Sequence, residues 1–583
     1  MLKFKDLKKN LGNDVSGFHK IKLALLGDTS TPLIAQAIKG MGIEYAIDIE
    51  LYEADFSQID RQVFDRDSEM YRFTPEVVLI FESTHVLLQK FNKTYTSGRI
   101  DSHLDRINFA ENIFSSIKQI VASLQNKNHS KIIFCNFTEE DDRIFGQFAG
   151  KVDEAFIRQI RRLNVLVEDL AKETGNLYIC DLSFIQNTIG RERFWSPSIY
   201  TSTEMVVSVE ALPYFAYSAV QIIRAFQGYF KKCLIVDLDN TLWGGIIGDD
   251  GIENIQIGQL GIGKAYTEFQ YWIKKLQSRG IILSVCSKNT ESIAKEPFEK
   301  HPDMVLKLSD IAVFIANWEN KVDNIRKIQK VLNIGFDSMV FLDDNPFERN
   351  LVRENIPQIT VPELPEDPAL YLDYLYGLNL FETISYSNED SQRTQQYQKE
   401  AERAVFQESF TNEDDFLKSL NMISEAKAFD KFTIPRVAQL SQRSNQFNLR
   451  TIRYTEEELE RIALSGEYLT ISFSLSDKFG DNGLISAVIL KKQKNKTLFI
   501  ESWIMSCRVL KRGMETFVLN AIIDLAINEE YKVLIGEYIP TEKNEIVENL
   551  YEDLRFNPAG NNLWTLEIDT YEREKTFIKK TII

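Results

Sequence analysis

The sequence predicts a multidomain α/β chain, and three observations carry that prediction. Short, wholly apolar runs alternate with stretches of helical period through the first two thirds, the pattern of parallel sheets covered by helices. Three of those runs, around residues 233, 282 and 339, end in acids or a hydroxyl rather than fading into a loop. From about residue 421 the pattern changes to longer strand-like runs followed by two helices, after a proline-rich break. At 583 residues the chain is too long for one core and is expected to hold three or four domains.

Composition narrows the function. The formal net charge is −17 and the pI about 5.1, so no basic footprint for nucleic acid is present. The five cysteines are scattered without CxxC spacing, a reducing-compartment pattern with no disulfide framework and no zinc site. No apolar stretch has the length of a signal peptide core or a membrane span, so a cytoplasmic protein without a membrane partner is expected. No histidine follows position 301, which excludes a histidine-based triad in the carboxyl-terminal part.

Taken in order, residues 1–225 read as an α/β domain. KIKLALLG, EYAIDIELYEA, PEVVLIF, KIIFCNF and NLYICDL are the strand candidates, with helix-period stretches such as INFAENIFSSIKQIVASLQ between them. Residues 226–375 form a second α/β domain that opens on CLIVDLDNTLWGG. Here an apolar strand ends in Asp237 and Asp239, and ligands bind at the carboxyl ends of strands in open α/β sheets. A second strand ends in Ser287 and Asn289, Lys321 comes next in NWENKVDNI, and a third strand, MVFL, ends in Asp343 and Asp344.

These residue types suit phosphoryl transfer. A carboxylate that attacks phosphorus splits one difficult displacement into two easier ones, and Asp237 is the candidate nucleophile. Asp239, two residues on, is placed to protonate the leaving oxygen and later activate water. Mg²⁺ takes hard oxygen ligands, and Asp237, Asp343 and Asp344, with the carbonyl of Asp239, suffice to hold it. Ser287 and Lys321 would hydrogen-bond and neutralise the phosphoryl oxygens. Taken singly, Ser287 also suits a helix N-cap, Lys321 a solvated surface, and Asp343-Asp344-Asn345-Pro346 a turn. The fifty residues between Asp237 and Ser287 leave no room for a lid domain, so the site is expected to be open. Trp243, Gly244 and Gly245 read either as a mobile flap or as a glycine-rich turn around a packed tryptophan.

VPELPEDPALY starts a break, and residues 376–420 read as a helical linker, its charged stretch an exposed helix. Residues 421–583 read as an α+β domain, with strands YLTISFSLSD, GLISAVILKKQ, KTLFIESWIMS and KVLIGEYI.

Several resemblances attach to these residues. GDTS at 27–30 resembles the first block of SGNH hydrolases, with Thr29 where the nucleophilic serine stands. The stretch after Asp181 lacks the histidine those enzymes need, so an SGNH-like α/β/α domain without hydrolytic activity is expected. The order Asp237, Ser287, Lys321, Asp343-Asp344 resembles the haloacid dehalogenase (HAD) superfamily, implying a Rossmannoid parallel sheet without a large cap. The last domain resembles the GNAT acyltransferase fold, with Asn544 and Tyr551 spaced as in its final helix. VLKRGMET supplies only Gly513 where that family's pyrophosphate loop wants two glycines, which argues against ordinary acetyl-CoA binding.

With DLDNTLWGG, VCSKN, FLDDNPFER, SNQFNLRT, DKFGDNGLI, SCRVLKRGME and YIPTEKN, the chain is similar over nearly its full length to the FkbH-like family of HAD subfamily IIIC. That resemblance implies a phosphatase that takes a glyceryl phosphate derived from 1,3-bisphosphoglycerate and passes the glyceryl group, as an enzyme thioester, to the phosphopantetheine of an acyl carrier protein. The alternative is a stand-alone phosphatase acting on a small-molecule or saccharide phosphate. Of the candidate thiols, Cys233 reads as core and Cys286 lies on the sheet face opposite Ser287. Cys507 is placed first as acyl carrier, although a buried structural cysteine fits the same sequence. Thr241 and Asn289 beside the acids, and Arg508 and Arg512 beside Cys507, are the expected substrate-binding residues.

Overall fold

The computed structural model describes residues 2–96, 102–127 and 130–581, with the side chains of 388 and 389 left aside. It divides into two compact units, Met1–Gln227 and Gly228–Ile583.

The first unit is built on strands β1 (His19–Gly27), β2 (Ile47–Glu53), β3 (Val77–Phe81), β4 (Lys131–Cys135) and β5 (Leu177–Cys180). They pair in parallel in the order β2-β1-β3-β4-β5. β3 and nearly all of β4 are buried, which is why VVLIF and IIFC carry no polar alternation. Chain direction across the sheet reverses between β1 and β3, so the residues after those two strands face one crevice. Asp28, Thr29, Ser83 and His85 gather there and are all buried. Both oxygens of Asp28 accept from the Ser83 amide, at 2.9 and 3.1 Å. Burial and the nearby Glu82 push the Asp28 carboxyl up to about 7.

The second unit holds two sheets. Strands β6 (Cys233–Val236), β7 (Ile282–Ser287), β8 (Ile311–Ala316) and β9 (Met339–Leu342) form a parallel sheet in the order β8-β7-β6-β9. The chain leaves β6 towards β7 and β8, then crosses back to place β9 on the other side of β6. The reversal lies between β6 and β9, and the acids come directly after those two strands. β6, β7 and β9 are buried on both faces, one face against residues such as Trp243 and Phe269, the other against Ile325 and Ile328, whereas the edge strand β8 is partly exposed at Phe314 and Ile315.

The other sheet comprises β10 (Ile423–Ser424), β11 (Ala426–Lys427), β12 (Tyr468–Asp477), β13 (Gly480–Gln493), β14 (Thr497–Met505), β15 (Val533–Glu537), β16 (Asn557–Gly560), β17 (Leu563–Glu567) and β18 (Lys579–Lys580). It is mixed: β12, β13 and β14 run as an antiparallel meander, β14 and β15 are parallel, and β17 returns antiparallel to β15. The apolar helix Met514–Asn528 packs into its core through Phe517, Val518 and Ile522.

The linker differs from the expected exposed helix. In the helix Arg393–Gln407, Tyr397, Glu400 and Arg403 are buried. Tyr397 packs with Ile282 and Met339 of the parallel sheet. Arg403 pairs with Glu400 at 2.5 Å and with Asp477 at 2.8 Å, at the end of β12. A charged helix is buried here because its charges meet complementary buried charges, which sequence polarity does not reveal.

Candidate active site

The turns that leave β6 and β9 build the site. The Asp237 amide donates to the Leu342 carbonyl at 2.9 Å, continuing the β6-β9 ladder by one bond and bringing Asp237 beside Asp343. Asn240 then takes the left-handed conformation at φ 55°, which asparagine tolerates, and the chain turns out of the sheet. Its Oδ1 accepts from the Gly245 amide at 2.9 Å, and its carbonyl accepts from the Tyr371 hydroxyl at 3.2 Å.

Lys321 is the first residue of the helix Lys321–Leu332, whose N-cap is Asn320. Its ammonium, buried, lies 3.1 Å from Asp237 Oδ2 and 2.5 Å from Asp343 Oδ2. Burial opposes the charge on Lys321, but the two carboxylates outweigh it and hold the ammonium above its ordinary range. Burial and the charge of Asp237 push the Asp343 carboxyl up to about 7 against the pull of Lys321. Asp344 is raised by the same two causes in the same order. Asp239 is raised chiefly by burial.

Three carboxylates, Asp237, Asp343 and Asp344, each bring an oxygen within 4.8 Å of the others. Asp237 Oδ1 is buried with no hydrogen-bond partner. A cluster of hard oxygens with one buried oxygen left unsatisfied fits a divalent cation such as Mg²⁺. The Asp239 side chain lies outside that trio. Its Oδ1 accepts from Trp243 Nε1 at 2.9 Å and the Ile247 amide at 3.0 Å, and its Oδ2 from Asn289 Nδ2 at 3.0 Å.

Several expected roles change. Thr241, expected to bind substrate, is fully buried and is hydrogen-bonded to Asp344. Asn289, expected likewise, holds Asp239. Both therefore position carboxylates. Trp243 and the two glycines form no flap: the indole is buried against Phe298, and Gly244 exchanges two backbone bonds with Gln256. Ser287 ends β7 and is buried at the carboxyl edge, while the next helix takes Thr290 as its N-cap, so the capping alternative falls away. Arg349 has no functional role in the sequence reading, yet it donates to the carbonyls of Asp343 (2.8 Å) and Asp344 (2.6 Å) and fixes the turn that carries them. Its signal is its place in DDNPFER, in the first turn of the helix that follows the acids.

Cys233 and Cys286 are both buried, and burial pushes each thiol up to about 12. Cys507 is the one partly exposed cysteine of the five. It lies just after β14, far along the chain from the acids, and the structure does not bring it into their cluster. Arg508 lines a cavity with Cys507, whereas Arg512, expected to bind substrate beside it, is buried and pairs with Glu400 and with Asp477 (3.4 Å). Asn544 and Tyr551 are both fully buried, Asn544 bonding the Asn448 carbonyl at 3.0 Å and Tyr551 lying against Gly536. Among the described residues no helix is long and apolar enough to cross a membrane.

Comparison with known proteins bears on the same elements. Residues 22–224 match the family profile described as FkbH, N-terminal domain. The N-terminal part of the Bacteroides fragilis protein BF1531, which contains a phosphatase domain and was crystallised with Mg, is 52% identical with a TM-score of 0.62. The match covers 66% of this chain and 100% of that one. The Escherichia coli ribosomal-protein-S18-alanine N-acetyltransferase is 15% identical (TM-score 0.20; 26% of this chain and 99% of that one). Spermidine N-acetyltransferase from Vibrio cholerae, in complex with CoA and spermine, is 13% identical (TM-score 0.21; 25% and 96%). None of the curated proteins matches. A relative of half-identical sequence matched along its whole length, with the first unit matched by the family's own N-terminal domain, makes this chain a member of the FkbH family.

Proposed function

We propose that this protein is a Mg²⁺-dependent phosphatase of the HAD type, acting through Asp237. The observation that carries the reading is Lys321, held between Asp237 and Asp343 at the reversal point of the sheet, with one Asp237 oxygen left without a partner. Mg²⁺ held by Asp237, Asp343 and Asp344 would supply charge neutralisation, so that an anionic nucleophile can approach an anionic phosphate. An Asp237 oxygen attacks phosphorus and the P–O bond to the leaving alcohol breaks, giving an aspartyl phosphate. Asp239, its carboxyl raised by burial, delivers the proton to the leaving oxygen. It then takes a proton from the water that attacks phosphorus and frees phosphate and the Asp237 carboxylate. Lys321 neutralises phosphoryl oxygens, and Ser287 donates to one. Retention of full phosphate release by Asp237→Asn would overturn the nucleophile assignment.

The finer reading is that the phosphate belongs to a glyceryl phosphate and that the glyceryl group passes, through a thioester on Cys507, to an acyl carrier protein. Membership of the FkbH family and the accessibility of Cys507 among otherwise buried cysteines support it. Intact-mass analysis of a carrier protein after incubation with enzyme and a glyceryl phosphate donor tests it, a glyceryl adduct being expected. A stand-alone phosphatase is the second reading. It is favoured by Asp237 lying past the carboxyl end of β6 while Cys507, after β14 of the mixed sheet, lines a cavity with Lys232 at the amino end of β6, so that the two chemistries share no site. Phosphate release without a carrier and insensitive to Cys507→Ser is its signature. The first unit is read as an SGNH-like scaffold without hydrolytic activity, its Thr29 buried where a nucleophile would have to be reachable.

A further inference from the structure

In the mixed sheet, β14 and β15 pair only from Thr497–Phe499 to Val533–Ile535 and then diverge. The gap so opened is filled by residues 447–450. Asn448 bridges antiparallel to Ile504, the Phe447 carbonyl accepts from the Met505 amide at 3.1 Å, and the Leu449 carbonyl accepts from the Ile539 amide at 2.8 Å. Arg450 ties the two strands through Glu501 at 3.0 Å and Glu537 at 2.6 Å. The Met505 and Ile539 amides that face the gap are thereby already bonded within the chain.

Open space lies beside that plug. A cavity of about 480 Å³ runs between the amino edge of the parallel sheet and the mixed-sheet module. Its wall carries Lys232, Arg393, Arg436, Arg443, Arg508 and Lys543 against only Asp337 and Glu542. Asp390 behind the wall holds Arg393 (3.2 Å) and Arg443, and Asp337 holds Lys543 at 3.1 Å. Two cations, Lys232 and Arg508, make their direct hydrogen bonds to neutral groups, although Lys232 also feels Asp337, which is paired with Lys543. The Lys232 ammonium donates to the Arg443 carbonyl at 2.9 Å. Arg508, 7% exposed, donates to Gln396 Oε1, to Ser506 Oγ at 3.3 Å and to the Asn482 carbonyl at 3.3 Å. In the same wall Gln446 Oε1 is buried without a partner. Positive charge enclosed in excess of its counter-charge is costly and is relieved by an anion. In a chain of net charge −17 such a concentration of cations is not a background feature.

We propose that this cavity binds a phosphate-bearing ligand through Lys232 and Arg508, with the Cys507 thiol in its wall, as a second anion site distinct from that of Asp237. Lys232 and Asp237 flank the same strand at opposite ends, five residues and so about 16 Å apart, so a phosphate bound at Lys232 is out of reach of the nucleophile. The cavity lacks a carboxylate cluster of the kind that gathers at Asp237 and binds by cations alone. The inference deepens the Cys507 reading above but requires only that the thiol be reachable, with no thioester and no turnover.

The test is alkylation of Cys507 by iodoacetamide in the full chain, followed by peptide mass spectrometry, in EDTA so that the Asp237 site holds no metal. Inorganic phosphate at roughly 10 mM should slow labelling at least about fivefold, as occupancy by mass action requires. Chloride at equal ionic strength should not slow it, protection should persist in Asp237→Asn, and it should be lost in Lys232→Met and Arg508→Gln. Equal protection by chloride, loss of protection in Asp237→Asn, or protection retained in both cation variants would each overturn the proposal. The wild-type and Asp237→Asn arms decide it even if a cation variant misfolds. Because labelling rather than phosphate release is read, failure here is distinguishable from failure of the phosphatase reading. Pantothenate 4′-phosphate, which lacks the thiol that would itself consume iodoacetamide, and glycerol 3-phosphate as further competitors separate the two sources of phosphate, the one protecting at lower concentration naming the ligand class.

Discussion

Thr241 and Asp344 are locked by a reciprocal pair of hydrogen bonds, the Asp344 amide donating to Thr241 Oγ1 at 3.1 Å and the Thr241 hydroxyl to Asp344 Oδ1 at 3.3 Å. The hydroxyl thus fixes one of the three carboxylates proposed to hold Mg²⁺. Groups that orient metal ligands commonly change metal affinity about 10- to 100-fold when removed. Thr241→Val should raise the Mg²⁺ concentration for half-maximal phosphate release by that order, with most of kcat restored at saturating Mg²⁺. A kcat loss that Mg²⁺ does not restore would mean that the hydroxyl contacts substrate after all.

Lys321 neutralises two buried carboxylates and is placed to do the same for the phosphoryl group. Lys321→Met should lower phosphate release by roughly 10²- to 10³-fold, the usual effect of removing one preorganised electrostatic partner. It also leaves Asp237 and Asp343 uncompensated. The rise in melting temperature on adding Mg²⁺ should therefore be larger in the variant than in the parent, as scanning calorimetry would show.

The Asp343 carboxyl, at about 7 without metal, sets a pH dependence. Mg²⁺ requires the carboxylate, so its binding must displace the proton that Asp343 retains below that value. Mg²⁺ affinity should hold above pH 7 and fall as pH drops through 7 towards 5, with proton release measurable by titration calorimetry in buffers of different ionisation enthalpy. Affinity independent of pH across that window would refute it.

Asp28 in the first unit has a carboxyl raised to about 7 from an ordinary 3.8. The folded chain then binds more protons than the unfolded chain between those values, so stability contributed by this group falls as pH rises from 4 to 7 and is level above. Asp28→Asn keeps an acceptor for the Ser83 amide and removes the titration. Amide exchange in β1 and β3 of the full chain should accelerate between pH 5 and pH 8, beyond the intrinsic base-catalysed rise, in the parent but not in the variant.

Arg512 serves the fold rather than the cavity at Cys507. Arg512→Met would leave Glu400 and Asp477 with Arg403 alone, and losing one partner of a buried charge cluster costs about 3 kcal/mol. The denaturation midpoint of the second unit should fall while phosphate protection of Cys507 persists in the folded protein.

From sequence alone every strand of the first parallel sheet and β6, β7 and β9 of the second could be located, with the acids that end β6 and β9, because a strand buried on both faces is apolar throughout and its polar terminus stands out. The edge strand β8, partly exposed at Phe314 and Ile315, was not located. Asp237 and Asp343 were legible as such polar termini, whereas Lys321, which opens a helix, was legible only by its place in the order of residue types. Their partners were not. Whether Thr241 or Asn289 faces substrate or a carboxylate depends on side-chain direction at the edge of the sheet, and local pattern does not encode it. Nor did polarity reveal that the helix Arg393–Gln407 is buried, since its charges are compensated by Asp477 and Arg512, far along the chain. Tertiary structure alone decided that residues 447–450 close the gap between β14 and β15, and that Lys232 and Arg508, distant in sequence, meet at one cavity beside Cys507. Such groupings arise from strand divergence and module packing, which bring charges together without regard to their spacing along the chain.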